Sequence, residues 1–387
     1  MLEGVVTWAE IDLDAIEYNV RAFKRYIGDV VELFAVVKAN AYGHGAVEVA
    51  KTALESGASR LAVHRAIEGV QLRQAGITAP ILIMGYTPPS GAGIILEHDL
   101  TPSVITREFA QALSNLAESA SVVIPVHIKV DTGMSRYGLM PDEVVEFARW
   151  FTRLPNLQLE GLFTHFATAD SLDQTYVRRQ LDVFNGVIDH LNTAGIQIPL
   201  IHAANSAATM RLPEAHFNAV RIGIAMYGLD PSNEWPPVFE IHPALTLKSR
   251  VSRIRELPAG SGVSYGRTSV TSRPTLAALV PVGYGDGYHR ILSNQGMVLV
   301  NGQRAPILGR VCMDQFVVDI SHIPGVHQDD EVVLIGRQGE GAIPAEEIAK
   351  LAGTINYEAT TSLLPRVVRV YMRGGMVIKE SGLGVDR

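Results

Sequence analysis

Lys38 closes the apolar run Phe34-Ala35-Val36-Val37 and opens the stretch Ala39-Asn40-Ala41-Tyr42-Gly43-His44-Gly45. A lysine at the end of such a run is partly desolvated, which lowers its pKa and makes a neutral amine available. That amine suits Schiff-base formation with a carbonyl cofactor or substrate. A lysine that merely extends its ammonium into solvent fits the same position. Other apolar runs end in groups that can hold charge: Lys129-Val130-Asp131-Thr132-Gly133-Met134-Ser135-Arg136, Thr164-His165, His202-Ala203-Ala204-Asn205-Ser206 and Arg221-Ile222-Gly223-Ile224. Asp131 can neutralise Lys129 or Arg136 as an ordinary ion pair. His165 can serve as base, relay or rim residue. Asn205 and Ser206 can cap a helix, or present donors to a phosphate at that helix start.

The elements that must carry these residues follow from the pattern around them. Eight short apolar segments, at 33–38, 60–63, 80–85, 101–105, 124–130, 159–165, 200–204 and 219–224, alternate with amphipathic stretches such as 14–26, 46–56, 107–118 and 175–194. Near-continuous apolar strands between helices are the mark of a parallel sheet buried on both faces. Eight such units predict an α/β fold, an N-terminal (β/α)8 TIM-type barrel, whose functional groups sit at the carboxyl ends of the strands. No Gly-rich turn follows the first strand, as a dinucleotide fold would require. After Pro236-Pro237 the texture changes to short β segments, with Asn301-Gly302 as a hairpin turn and one helix at 344–351. The expected organisation is a strand within residues 1–10 pairing with a C-terminal mainly β domain, a barrel over 11–235, and that β domain over 236–387.

The turns after the seventh and eighth strands are the usual phosphate-binding place of such barrels. With a lysine at the first strand and Arg221 between, they suggest pyridoxal 5'-phosphate, which needs a lysine, a phosphate cradle and a partner for its pyridine nitrogen. An arginine partner donates without losing its proton and so keeps that nitrogen unprotonated.

At this point the chain resembles the alanine racemases. The stretches that carry the likeness are 37–45, 127–138, 202–207, 221–228, Val263-Ser264-Tyr265-Gly266-Arg267-Thr268 and Gly309-Arg310-Val311-Cys312-Met313-Asp314, in order over nearly the whole chain. The resemblance implies racemisation of L- and D-alanine, supplying D-alanine for peptidoglycan synthesis. It implies two bases on opposite substrate faces, Lys38 and Tyr265, with His165 and Arg221 as the relay behind the tyrosine. Tyr42, Ser206, Gly223, Ile224 and Tyr357 match phosphate contacts, with Asn205 beside them. Arg136 matches a contact to cofactor and substrate, and Met313 offers its backbone N–H to the substrate carboxylate. Lys129 matches a position carbamylated in some members. Asp170, Tyr284, Arg290 and Arg310 match a narrow access corridor. The implied partner is a second copy in a head-to-tail homodimer whose Tyr265 completes the site. His64-Arg65, Gly285 and His289 depart from the family pattern, outside the catalytic positions.

Composition narrows the classes further. With 33 basic and 40 acidic residues, the formal charge of −7 removes the attraction to phosphate backbones that nucleic-acid binders rely on. No apolar run reaches the length of a membrane span, no secretory signal is visible, and a cytoplasmic location is expected. The single cysteine, Cys312, forms neither an internal disulfide nor a zinc cluster, and no metal is expected. A racemase of another small amino acid such as serine is the first alternative. A barrel-type decarboxylase is a second, against which Arg221 argues. A non-catalytic cofactor carrier would leave the residues after the barrel without a use.

Overall fold

The computed structural model describes residues 4–382 and 385–386. Residues 1–3 of the expected N-terminal segment, and 383, 384 and 387 of the expected β domain, lie outside the described residues. The chain divides into two compact units. One comprises Ile16–Ala41 and Ala46–His242, and the other comprises Met1–Ala15, Tyr42–Gly45 and Pro243–Arg387.

The chain enters through β1 (Thr7–Asp12), which pairs antiparallel with Leu245–Arg250 and parallel with Val368–Arg373. The barrel strands follow: β2 (Glu32–Val36), β3 (Arg60–Val63), β4 (Ile81–Ile83), β5 (Thr101–Val104), β6 (Ile124–Lys129), β7 (Leu157–Phe163), β8 (Leu200–His202) and β9 (Ala219–Ile222). Among the described residues they form a closed parallel barrel, with β9 returning to β2. Leu33, Ala35, Leu61, Val63, Ile81, Ile83, Val104 and Ile128 are buried, as strands covered on both faces require. The outer helices bury one stripe each. In Arg107–Ala120 that stripe is Phe109, Ala110, Leu113 and Ala117, spaced three and four apart. Thr106 caps its start and Ser121, in the left-handed region, ends it. Residues 236–242 stay with the barrel: Phe239 meets Phe23 edge-on at 4.9 Å, and His242 stacks on Tyr18 at 4.0 Å.

The second unit is built on a twelve-stranded sheet among the described residues, plus a two-stranded ribbon at Gly262–Val263 and Ser269–Val270. The Asn301-Gly302 turn joins Met297–Val300 to Gln303–Leu308 with both turn residues at positive φ, as its hairpin demands. Leu245–Arg250 and Arg253–Leu257 are two strands and not one, because the chain leaves the first sheet pairing and joins Thr275–Val280 instead. A short helix at Asn356–Thr361 and a strand at Met376–Gly382 carry no clear periodicity and were not anticipated. Among the described residues, no helix is long and apolar enough to cross a membrane.

One irregularity shapes the barrel interior. Val126 pairs with Leu159 but His127 pairs with Gly161, so Glu160 is the extra residue of a β-bulge. A Cβ at position 161 would overlap the His127 ring, so only glycine admits that imidazole. Gly161→Ala is therefore expected to lose about 1–3 kcal/mol of stability through overpacking. Gly93→Ala, at a helical site with open space around it, is the control and should be neutral or slightly stabilising. Urea denaturation of both variants is the measurement.

Candidate active site

Lys38 follows β2 directly, and what comes next is unusual. Ala39, Asn40, Ala41 and Tyr42 all sit near φ +52°, a left-handed turn of four L-residues. Each such residue costs roughly 1–2 kcal/mol, so the turn must be held by other bonds. Glu68, in the first turn of the helix Ala66–Gln74, supplies one of them. Its carboxylate accepts the N–H of Ala39 at 2.6 Å and those of His64 and Arg65 at 2.8 Å each. Asn40 Oδ1 accepts the Ala46 N–H at 2.9 Å. Glu68 thus ties the carboxyl ends of β2 and β3 together beneath the lysine. Burial lowers the Lys38 pKa, helped by the charges of Arg136 and Arg221 and opposed by Glu68.

Arg221, on β9, is only 3% exposed. Its Nη1 donates to His202 Nδ1 at 2.7 Å and to the His202 carbonyl at 3.1 Å. Nη2 donates to the carbonyls of Thr164 (2.7 Å) and Ala203 (2.9 Å), and lies 3.3 Å from His165 Nδ1. Burial pushes the guanidinium down to about 9, which still leaves it charged at neutral pH. The same desolvation, with the charges of Arg221, Lys129, Arg136 and Lys38, holds His165 well below the usual imidazole range. His165 is therefore neutral, and with Nδ1 facing a donor its proton sits on Nε2.

Lys129 ends β6 and is 8% exposed. It forms no ion pair among the described residues; its Nζ lies over Tyr137 at 5.0 Å and Phe163 at 5.5 Å. The ion pair with Asp131 is not what forms. Asp131 instead accepts the backbone N–H groups of Gly133, Ser135 and Arg136 at 2.9–3.0 Å, folding the turn that follows β6. Burial, then the charges of Arg221 and Arg136, pushes Lys129 down to about 8. A small cleft lined by Lys129, Asp131, Met134, Arg136, Tyr137 and His165 opens here.

Asn205 caps the helix Ser206–Arg211 by accepting the Ala208 N–H at 2.9 Å, and Ser206 Oγ accepts the Gly223 N–H at 2.9 Å. The turns after β8 and β9 are thereby joined, with Ile224 opening a 3-10 turn. Asp170, on the surface of the same unit, accepts from Ser232 and Trp235 through its backbone carbonyl.

The remaining expected residues belong to the other unit. Tyr42 and Tyr357 have ring centroids 5.9 Å apart, and burial raises the Tyr42 phenol above its ordinary range. Tyr265 is 72% exposed on a turn whose flanks are fixed. Ser264, Gly266 and Arg267 have positive φ, and Ser264 Oγ donates to the Arg310 carbonyl at 2.7 Å. Ser264 Oγ also lies 3.3 Å from Cys312 Sγ, a structural place for the lone thiol. Met313 and Tyr284 are exposed, and Arg290 lies in a 3-10 turn. Gly285 is explained by its neighbours, because a Cβ there would meet the Arg366 guanidinium that pairs with Asp286. Sequence reasoning missed Glu68, His127 and Glu160. A lone acid inside the apolar strand Leu157–Phe163 was the available signal for Glu160.

Comparisons with known proteins place the whole chain in one family. The alanine racemase N-terminal domain profile matches residues 11–231 and its C-terminal domain profile matches 244–371. The alanine racemase of Halothermothrix orenii is 48% identical over 365 residues, 94% of this chain and 96% of that one. That of Carboxydothermus hydrogenoformans is 49% identical over 366 residues, 94% and 99% of the two chains. Among solved structures, alanine racemase from Bacillus anthracis with bound L-Ala-P is 44% identical, with a TM-score of 0.92 over 97% of each chain.

The Lys129 environment makes a stability prediction. Its charged form is penalised in the fold, so the penalty is full below pH 8, shrinks as pH rises, and vanishes above the unfolded value of 10.5. In CO2-free buffer, Lys129→Met should raise stability at pH 7 by about 3 kcal/mol. That gain should decline steadily between the two pH values when followed by urea denaturation.

Proposed function

The chain belongs to the alanine racemase family and is an isomerase of alanine, and from that premise we propose a two-base reaction with pyridoxal 5'-phosphate that supplies D-alanine for peptidoglycan synthesis. The residues present fit that cofactor. Lys38 offers a desolvated amine, Arg221 a fixed cationic donor with no carboxylate beside it among the described residues, and Ser206, its hydroxyl held by the Gly223 amide, forms with the Ile224 amide a cradle for phosphate. Tyr42 and Tyr357 add phenol hydroxyls to that phosphate. Bound pyridoxal phosphate supplies a carbonyl for the Lys38 amine and an electron sink for the α-carbon of alanine.

Lys38 Nζ takes or returns the α-proton on one face of the substrate. Tyr265 Oη does so on the other, since inversion needs a proton from the opposite side. The phenol of free tyrosine is a weak base at neutral pH. We assign its activation to His165, whose Nε2–H can donate to the phenolate while Arg221 holds Nδ1 from behind. Arg136 and the Met313 N–H hold the substrate carboxylate, and Asp170, Tyr284, Arg290 and Arg310 line the way in. Tyr265 comes from a second copy of the chain, which its 72% exposure on a stiff turn supports. Lys129 is carbamylated: its amine adds CO2 and loses a proton, and the resulting carboxylate answers the Arg136 charge. The observation that carries the whole reading is the Lys38 amine, desolvated beside Arg136 and Arg221.

Purified protein with the cofactor should convert either alanine enantiomer to the racemate, and a panel of alanine, serine, lysine and arginine should rank alanine first in kcat/KM. Tyr265→Phe should lose about 10²–10⁴-fold in kcat; wild-type rates in that variant would sink the two-base assignment. Mixing Lys38→Ala with Tyr265→Phe chains should restore roughly a quarter of wild-type activity, since half the dimers then hold one intact site. No recovery would mean that each chain supplies both bases. Carbon-13 bicarbonate should give a carbamate carbonyl resonance that Lys129→Ala abolishes.

A further inference from the structure

Two buried imidazoles and one carboxylate take no part in the reaction above, yet they lie in one line with Arg221. Arg221 Nη1 is 2.7 Å from His202 Nδ1, His202 Nε2 is 2.9 Å from His127 Nδ1, and His127 Nε2 is 3.0 Å from Glu160 Oε2. A guanidinium only donates, so His202 Nδ1 accepts and the neutral ring carries its proton on Nε2. That proton points at His127 Nδ1, which must accept in turn. The His127 proton is then on Nε2, facing a carboxylate. Every donor meets an acceptor, and with both rings neutral only this pair of tautomers achieves it.

We propose that Glu160 is a positioning residue for Arg221: acting through His127 and His202, its carboxylate fixes the direction of the hydrogen-bonded line and supplies the countercharge that the guanidinium lacks at its own end. The proposal rests on the role given to Arg221 above. Neither ring can turn over in place. His202 is stacked between Phe34 at 5.0 Å and Phe163 at 4.9 Å, and His127 stands edge-on to both phenyl rings at 6.3 Å. Burial lowers the pKa of both imidazoles, so both are neutral as the line requires. The β-bulge is what brings Glu160 to this line, since the register of His127–Lys129 carried back unbroken would set Glu160 opposite Val126, on the face away from His127. Arg60 holds the second carboxylate oxygen at 3.0 Å and is itself bound to Glu32 at 2.7 Å. Burial alone would raise the Glu160 pKa, but its bond to His127 and the Arg60 charge outweigh that and keep it ionised. Arg221 Nη2 is already shared among two carbonyls and His165, so the Nη1–His202 bond sets how the guanidinium is turned.

Nitrogen-15 spectra of histidine-labelled whole protein test the line directly. Both His127 and His202 should appear as neutral rings protonated on Nε2. An Nδ1 proton on either ring overturns the proposal, and no variant has to fold for that result. Glu160→Gln keeps shape and an acceptor but removes the charge. It should lower kcat for alanine about tenfold, the worth of one charge-assisted bond, with KM changed less than about twofold. The His202 Nδ1 resonance should shift in the same variant, and Glu160→Asp, which restores the charge, should recover part of both losses. Unchanged kcat together with an unchanged His202 spectrum in Glu160→Gln would overturn the proposal. A wild-type protein that leaves alanine untouched would instead defeat the racemase reading, while the tautomer spectrum would still decide the line.

Discussion

A guanidinium buried without a carboxylate at its side is the constraint around which the barrel is arranged. Removing such a charge from water costs several kcal/mol unless every donor is met. The two Nη groups of Arg221 meet their share of that demand with three carbonyls and two imidazoles taken from the ends of β7 and β8. Those strand ends are consequently held in fixed positions by a side chain rather than by sheet bonds alone. His165 and His202, which a catalytic site could otherwise use in several protonation states, are held neutral by burial first and by the charge of the same group second.

The positive charge gathered there has a second effect. Burial first, and then the charges of Arg136 and Arg221, make the two lysines weaker bases than free amines. A surface crowded with cations repels further cations and favours anionic ligands. Phosphate and carboxylate groups are the natural occupants. Glu68 limits the crowding near Lys38, but its larger task is mechanical, because it binds the first amide of a turn that L-residues rarely adopt and ties it to the end of β3.

All eight barrel strands were legible in the sequence because most are short apolar runs and all lie between stretches of helical periodicity. The groups at their ends followed from the rule that barrel chemistry sits there. What stayed hidden depends on register and handedness. Nothing in Ala39-Asn40-Ala41-Tyr42 announces four left-handed residues, since only Asn is at ease in that region. The Asp131 side chain was read as an ion-pair partner because charge is visible in a sequence and three backbone amides folding onto a carboxylate are not. Glu160 was overlooked because alternation assigns it a face, and the bulge changes that face.

That bulge also ties three positions into one unit of change. Gly161 leaves room for the His127 ring, His127 occupies that room, and Glu160 is turned toward it by the extra residue. A larger residue at 161 strands the imidazole, a smaller one at 127 opens a hole, and deleting one residue from β7 reverses which face Glu160 occupies. Any single exchange passes through a worse protein, so the three can be replaced together but hardly in sequence.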